Sequence, residues 1–149
     1  MSIKQKLYSK CEETLNLRLK VLQQSISDIQ INLQSETKSS AGDKHETGRA
    51  MLQLEREKAG QQLAEIQKQF ELLHKINPET KQTNIALGSI VYTSQANYFI
   101  AVSIGEINLD KQTYFAISPM TPIGKLLMSK TKGDKFQFRN QEVDIQEVL

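Results

Sequence analysis

Two heptad-patterned segments on either side of a short polar stretch constrain the fold of this chain more than any other feature. In the first segment, apolar residues follow one another at steps of three and four from Cys11 to Leu33. In the second, Leu52, Ala59, Ile66 and Leu73 are spaced by seven residues, and so are Leu63 and Phe70. Such spacing is typical of helices that bury a seam against another helix. Two seams of matching length joined by a polar turn predict an antiparallel coiled-coil hairpin over residues 1–77.

The first seam extends back to Tyr8, and no Pro or Gly interrupts residues 2–41. Its members are Tyr8, Cys11, Leu15, Leu19, Leu22, Ile26, Ile29 and Leu33. Leu17, Val21 and Ile31 lie off this seam, and we expect them to widen the apolar stripe. A helix of roughly 33 residues would be about 50 Å long at 1.5 Å per residue.

The polar stretch between the seams carries two acids three residues apart. Residues 34–42 lose the apolar period and end in a Gly, which predicts a turn. The hairpin tip is therefore expected around residues 42–46, with Asp43 and Glu46 close to the start of the second helix. That helix is expected to end at Asn77-Pro78.

The pattern changes after residues 78–84, which we interpret as a polar linker. Short segments rich in β-branched and aromatic residues predict about five strands in residues 85–149. They lie at 85–93, 98–104, 113–117, 136–139 and 143–148, with turns at 108–111, 133–134 and 140–141. Thr121 followed by Pro122 predicts the start of a short helix over 122–128. The expected fold class is α+β.

Composition excludes several classes of function. A net charge of +2 over 149 residues argues against bulk electrostatic binding of nucleic acid. One Cys precludes an internal disulfide, and no apolar run approaches the about 20 residues of a membrane helix. No signal peptide is apparent, so we expect a cytoplasmic protein. A Gly-rich phosphate loop, a Cys-x-x-Cys pair and a Gly-x-Ser-x-Gly motif are all missing.

Two motifs in this order and spacing resemble the bacterial Gre transcript-cleavage factors. The first is Gly42-Asp43-x-x-Glu46 at the hairpin tip. The second is Thr121-Pro122-Ile-Gly-Lys-Leu-Leu, continuing to Gly133-Asp134. The resemblance implies an N-terminal antiparallel coiled-coil hairpin followed by a small antiparallel β-sheet domain like that of FK506-binding proteins. It covers most of the chain in layout, whereas sequence identity is concentrated in these two stretches.

The resemblance also implies a function. The C-terminal domain would dock on RNA polymerase, and the hairpin would enter the polymerase secondary channel towards the 3′ end of the nascent RNA. The tip acids would help to hold a second Mg²⁺ shared with RNA polymerase, and the polymerase itself would cleave the backtracked transcript. The chain would thus be no enzyme on its own, with no small-molecule substrate. Carboxylate oxygens are the ligands that this chemistry requires.

Specific residues are candidates for these roles. The resemblance assigns the catalytic and metal-binding positions to Asp43 and Glu46. Flanking cations that could contact RNA phosphates are Lys38, Lys44 and Arg49. The polymerase-docking candidates are Ser118, Pro119, Thr121 and Pro122.

Other interpretations stay open. The family continues Asn-Ala-Glu-Tyr after the acidic pair, but this chain has Thr47-Gly48-Arg49-Ala50, so a secondary-channel regulator without cleavage stimulation is one alternative. A coiled-coil adaptor that binds a protein through its side is another, and a prolyl isomerase is a third. Asp43 and Glu46 also fit a helix capping box. Cys11 on the seam is expected to pack rather than react.

Overall fold

A computed structural model describes residues 1–38 and 42–149; the side chains of residues 36–38 and 42–45 are not described. The described chain divides into two compact units, residues 15–68 and residues 1–14 with 69–149. In chain order the elements are α1 (Ile3–Lys38), α2 (Gly42–His74), β1 (Ile90–Thr93), β2 (Asn97–Ile100), β3 (Gly105–Leu109), β4 (Gln112–Ile117), α3 (Pro122–Leu127), β5 (Lys135–Phe138) and β6 (Gln141–Val148).

The unit of residues 15–68 is a helical hairpin that buries one seam. Leu22, Ile29 and Ala59 form its buried centre. Four partly buried residues pack around them, namely Ile26, Leu33, Leu63 and Ile66. All seven belong to the two heptad seams, so the predicted pair of long helices is confirmed. The predicted turn begins too early, because α1 continues to Lys38 and only residues 39–41, which lie outside the description, separate the helices.

The expected widening of the apolar stripe is wrong. Leu17, Val21 and Ile31 are 62%, 64% and 58% exposed. Met51 and Leu54 on α2 are similarly exposed, at 61% and 65%. Two paired helices cover only the strip along which they touch, so side chains that point away from the partner helix remain in solvent. All five apolar side chains are therefore exposed on the hairpin.

The other unit contains the first turns of α1 and the end of α2, and both segments contribute buried side chains. Leu7, Cys11, Leu73 and Ile76 are buried there. Leu7 takes the inner position that the sequence assigned to Tyr8, which is only partly buried. Lys4 is buried too, and its Nζ donates a hydrogen bond of 2.6 Å to the Thr80 carbonyl oxygen.

The same unit contains one six-stranded mixed sheet with the strand order β3-β4-β2-β1-β6-β5. The α+β fold class is confirmed, but the sheet is not antiparallel throughout, because β2 and β4 are parallel. The chain leaves β2, forms β3 at the sheet edge and returns as β4 between them. The sequence interpretation missed β3, and it extended β1 back to Ile85, whereas β1 begins at Ile90.

Two-residue turns close the β3–β4 and β5–β6 hairpins. Asp110 and Lys111 join β3 to β4 with φ values of 50° and 66°, and Arg139 and Asn140 join β5 to β6 with 53° and 64°. Positive φ at both central residues matches the right-handed twist of the flanking strands. The second turn lies one residue earlier than predicted, because Gln141 already pairs with Phe138.

Helix α3 packs on the sheet through Ile123 and Leu127. Five residues of the strands and of the segment before β1 complete this core, namely Ile85, Val91, Ile100, Ile145 and Val148. Because α3 is held by these contacts, the turn that precedes it has a defined position on the sheet.

We predict that Cys11 is chemically silent in the folded protein. Its side chain is fully buried, and burial raises the pKa of the thiol to about 12. A maleimide at pH 8 should leave the native protein unmodified and should label it completely in urea. The free energy of unfolding should also fall as pH rises from the ordinary thiol range towards 12, because the unfolded chain loses this proton first. Rapid native labelling would contradict the burial.

Candidate functional site

The acidic pair lies at the beginning of α2. The helix starts at Gly42, so Asp43 and Glu46 occupy its first two turns, and positions three apart are neighbours on a helix surface. Glu46 and Arg49 are exposed. The side chains of Asp43, Lys44 and Lys38 lie outside the described part of the chain. The helical position of the pair therefore agrees with the sequence prediction, and its ligand geometry stays a prediction.

The chemistry of this pair suits a hard divalent cation. Carboxylate oxygens are ligands of Mg²⁺, and the N-terminus of a helix favours negative charge. Within the described ranges, no group of three or more His, Cys, Asp or Glu residues could hold a metal ion. Two carboxylates also fall short of the six ligands that Mg²⁺ takes, so a Mg²⁺ at this tip needs most of its ligands from a partner.

The second candidate site is the turn before α3. Thr121 is the N-cap, since its Oγ1 accepts a hydrogen bond of 3.1 Å from the Gly124 amide. The same hydroxyl donates to the Ser118 carbonyl oxygen at 2.8 Å, and the Met120 amide donates to Ser118 Oγ at 3.0 Å. The predicted capping role of Thr121 and the predicted position of Pro122 are both confirmed.

Gly124 is required by a close approach within this turn. A Cβ at this position would collide with the Ser118 carbonyl oxygen and would lie 2.8 Å from Thr121 Oγ1. Both neighbours are fixed by the hydrogen bonds of the cap, so neither can move freely. The Thr-Pro-Ile-Gly motif is therefore explained locally as a cap, a first helical residue, a core residue and a contact that only Gly permits.

A shallow surface groove of about 340 Å³ adjoins the turn. Thr121 and Pro122 line it, whereas Ser118 and Pro119 form the preceding turn and do not. The other lining residues come from β2, β4, α3 and the β5–β6 hairpin, and they are Tyr98, Phe115, Ile117, Ile123, Phe138 and Arg139. We call this surface the α3 groove.

Aromatic rings dominate the α3 groove, with one cation beside them. Tyr98 and Phe115 are directly paired on the parallel strands β2 and β4, and their ring centroids are 6.3 Å apart. Arg139 Cζ lies 5.0 Å from the centroid of Phe138. Burial raises the pKa of Tyr98, with Arg139 acting in the opposite direction. The phenol thus stays neutral at physiological pH, and the groove combines apolar faces with a single positive charge.

The sequence interpretation did not assign Tyr98, Phe115, Phe138 or Arg139 to any site. Each lies in a segment predicted to be strand, but which strands are neighbours cannot be read from local patterns. Only the parallel register of β2 and β4 places Tyr98 against Phe115. In the sequence, the signal for this surface was that aromatic residues occupy strand positions expected to face solvent.

Two remaining reactive side chains do not form a catalytic group. Cys11 is buried, while His74 is exposed and packs near Phe70 with ring centroids 5.9 Å apart. The side chain of His45 lies outside the description. Among the described residues, none of the helices has the length and apolar character needed to span a bilayer.

Comparison with known proteins finds similarity among the solved structures. No protein-family model matches the chain, and a search of curated proteins finds no match. The chain is similar to the solved structure of the transcription factor Gfh1, with 18% sequence identity, 91% of each chain covered and a TM-score of 0.36.

Proposed function

We propose that this chain is a Gre-type transcription factor that binds RNA polymerase and presents Asp43 and Glu46 to the polymerase active centre. There it stimulates cleavage of backtracked transcripts. The observation that carries the proposal is the position of the acidic pair, three residues apart at the start of the second helix of a hairpin. A bound Mg²⁺ would supply charge stabilisation for phosphodiester hydrolysis and activate water.

The exposure of the described part of the tip supports this role. Glu46 is exposed to solvent. Within its own fold, such an exposed carboxylate only stabilises the start of the helix. It is accessible to a second protein. Arg49, three residues further along and also exposed, is suited to contact a phosphate of the transcript.

The α3 groove supports the docking part of the proposal. The sequence candidates Thr121 and Pro122 lie in it beside Tyr98 and Phe115, and Met120 in the adjoining turn is 71% exposed. An exposed apolar surface held by a rigid cap is typical of a protein-binding site, and aromatic residues and Arg are enriched at the centres of such interfaces. We propose that polymerase contacts this groove.

The direct test uses stalled, backtracked elongation complexes assembled from purified bacterial RNA polymerase with a 3′-labelled transcript. Adding the protein should release short labelled 3′ fragments and restore elongation. Binding is measured separately, by co-elution with polymerase. A protein that does not bind polymerase contradicts the whole proposal, whereas binding without fragment release contradicts only the cleavage step.

Binding without cleavage is the second candidate function, and one observation favours it. Thr47, Gly48 and Arg49 follow the acidic pair where Gre factors have Asn-Ala-Glu before an aromatic residue. Such a protein would occupy the secondary channel and inhibit nucleotide addition. Measuring elongation rate alongside fragment release separates the two functions, because a pure channel occupant slows the first and leaves the second unchanged.

Substituting Phe115 should weaken docking. We predict that Phe115→Thr lowers the affinity for polymerase by about tenfold or more, since truncating an aromatic residue at the centre of an interface costs about 2 kcal/mol or more where it carries binding energy. Thr keeps the β-branched character that a strand favours. Gln137→Thr, at an exposed position of β5 outside the groove, is the matched control. Equal affinities for the two variants, with unchanged melting temperatures, would exclude the α3 groove as the docking site.

A further inference from the structure

The α3 groove contains one cation that has no acidic partner in the described part of the chain. Arg139 is exposed at the β5–β6 turn, and its Cζ lies 5.0 Å from the centroid of the Phe138 ring. It forms no ion pair with any described residue. By contrast, Lys135 at the other end of β5 pairs with Glu142 at 3.7 Å. The charge of Arg139 is therefore available to a binding partner.

A second hydrogen-bond donor lies in the same groove. Tyr98 is half-buried, and its hydroxyl makes no hydrogen bond to any described residue. Burial raises the pKa of the phenol and Arg139 acts in the opposite direction, so the guanidinium is close enough to influence the hydroxyl. A phenol that keeps its proton donates a hydrogen bond. The groove thus holds a charged donor and a neutral donor, both without an acceptor among the described residues.

The strand pairing adds a negative charge at the side of the sheet away from Tyr98. Tyr98 on β2 is paired with Phe115 on β4, and Phe115 is paired with Glu106 on β3. Directly paired residues project to the same face of a sheet, and neighbouring strands are about 4.8 Å apart. Glu106 is exposed there, beyond Phe115. A negative group on a partner is attracted to Arg139 and repelled by Glu106, so the two charges favour one orientation of an acidic partner.

We propose that Arg139 and Tyr98 together bind one carboxylate of the docked RNA polymerase segment, next to apolar side chains that pack on Phe115. This inference rests on the proposed function and adds the chemistry of the partner. The planar fork of an Arg donates two parallel hydrogen bonds to a carboxylate, and the phenol supplies a third. The polymerase segment is therefore expected to present an Asp or Glu beside an apolar residue.

The charge of this part of the chain favours a protein carboxylate over a nucleic acid phosphate. Residues 85–149 carry six Lys or Arg and six Asp or Glu. Nucleic acid binding draws most of its affinity from several phosphate contacts, and a region without excess positive charge is poorly suited to supply them. Aromatic residues with an Arg are instead enriched at the centres of protein interfaces.

The first test measures the affinity of the full chain for purified RNA polymerase. Arg139→Gln should lower the affinity by about tenfold or more, because charge-assisted hydrogen bonds are lost and the partner carboxylate is left without its cation. Lys111→Gln is the matched control, since Lys111 is also an exposed cation with positive φ in a two-residue turn and does not line the groove. The control should bind like the wild type, and both variants should keep its melting temperature.

A double-mutant cycle tests whether the two residues bind the same group. Tyr98→Phe keeps the ring and removes the hydroxyl, so it should lower the affinity about threefold or more. Added to Arg139→Gln it should have little further effect, because both changes act on one carboxylate. Raising the salt concentration should weaken the wild type more than Arg139→Gln. Losses that simply multiply would show two independent contacts and would overturn the shared carboxylate.

The outcomes distinguish this inference from the docking proposal. If the wild type does not bind polymerase, the proposed function fails and this inference fails with it. If the wild type binds and Arg139→Gln binds equally well, docking stands and the carboxylate site is overturned. Binding of a labelled single-stranded RNA that Arg139→Gln abolishes, with unchanged affinity for polymerase, would assign Arg139 to a phosphate and would also overturn the inference.

Discussion

Replacing Asp43 with Asn and Glu46 with Gln together is expected to reduce transcript cleavage at least a hundredfold while leaving polymerase binding intact. The two amides keep the size and helical compatibility of the acids but remove both negative charges. A neutral amide is a much weaker ligand for a divalent cation than a carboxylate, so the proposed ion should no longer be held. Loss of metal stabilisation in such a reaction costs several kcal/mol of barrier, which is a factor of about a hundred or more.

The matched control for this variant is Glu55→Gln with Glu57→Gln. It makes the same change of net charge on the same helix at two exposed positions away from the helix start. Cleavage should be unaffected by this control. Equal losses in the two variants would trace the effect to overall charge, and unchanged cleavage in the Asp43 and Glu46 variant would remove these acids from the mechanism. Raising the Mg²⁺ concentration should partly rescue the single substitutions, because weaker binding is offset by mass action.

Gly124→Ala is expected to destabilise the C-terminal unit by about 1–3 kcal/mol, because the added methyl group collides with the fixed Ser118 carbonyl oxygen and crowds the Thr121 hydroxyl. The cap must open or α3 must shift, and either movement disturbs Ile123 and Leu127 in the core. The free energy of unfolding is measured by urea titration. Because Thr121 and Pro122 line the α3 groove, polymerase binding should weaken along with stability.

Gly60→Ala is expected to have the opposite effect on the free energy of unfolding. Gly60 is an exposed residue inside α2, and apart from its chain neighbours and the backbone of its own helix no atom lies within 4 Å of an added Cβ. Ala at a helical position is favoured over Gly by up to about 1 kcal/mol, so this substitution should stabilise the hairpin. An unchanged or higher free energy of unfolding for Gly124→Ala would contradict the close approach at Gly124.

The hairpin was predictable because its signal is local. Heptad spacing places Leu22, Ile29 and Ala59 on seams without any knowledge of the rest of the chain, and these residues are the buried ones. The same kind of local signal identified the Thr121 cap, since an N-cap followed by Pro needs only four residues to be recognised. The solvent exposure of Leu17 and Val21 was not predictable in this way. Whether an off-seam apolar residue is covered depends on what packs against that side.

The sheet shows where local patterns fail. The edge strand β3 begins at the exposed residues Gly105 and Glu106, so its short polar segment looks like a loop. Its pairing partner β4 also pairs in parallel with β2, a long-range arrangement that strand propensity does not encode. For the same reason the α3 groove was only half identified. Thr121 and Pro122 were identified from a sequence motif. Tyr98 and Phe115 belong to the groove because of the strand order, which the sequence did not reveal.

By itself, the sequence determined the helical hairpin, the α+β class, the cap of α3 and the placement of Asp43 and Glu46 at a helix start. Each follows from interactions within a few turns or a few residues. Only the tertiary structure decided that β2 and β4 are parallel, that Phe115 and Phe138 join Thr121 in one groove, and that Leu17 and Val21 remain uncovered. These features depend on which distant segments contact one another. The free energy that favours this arrangement comes from contacts throughout the core and not from any one stretch of residues.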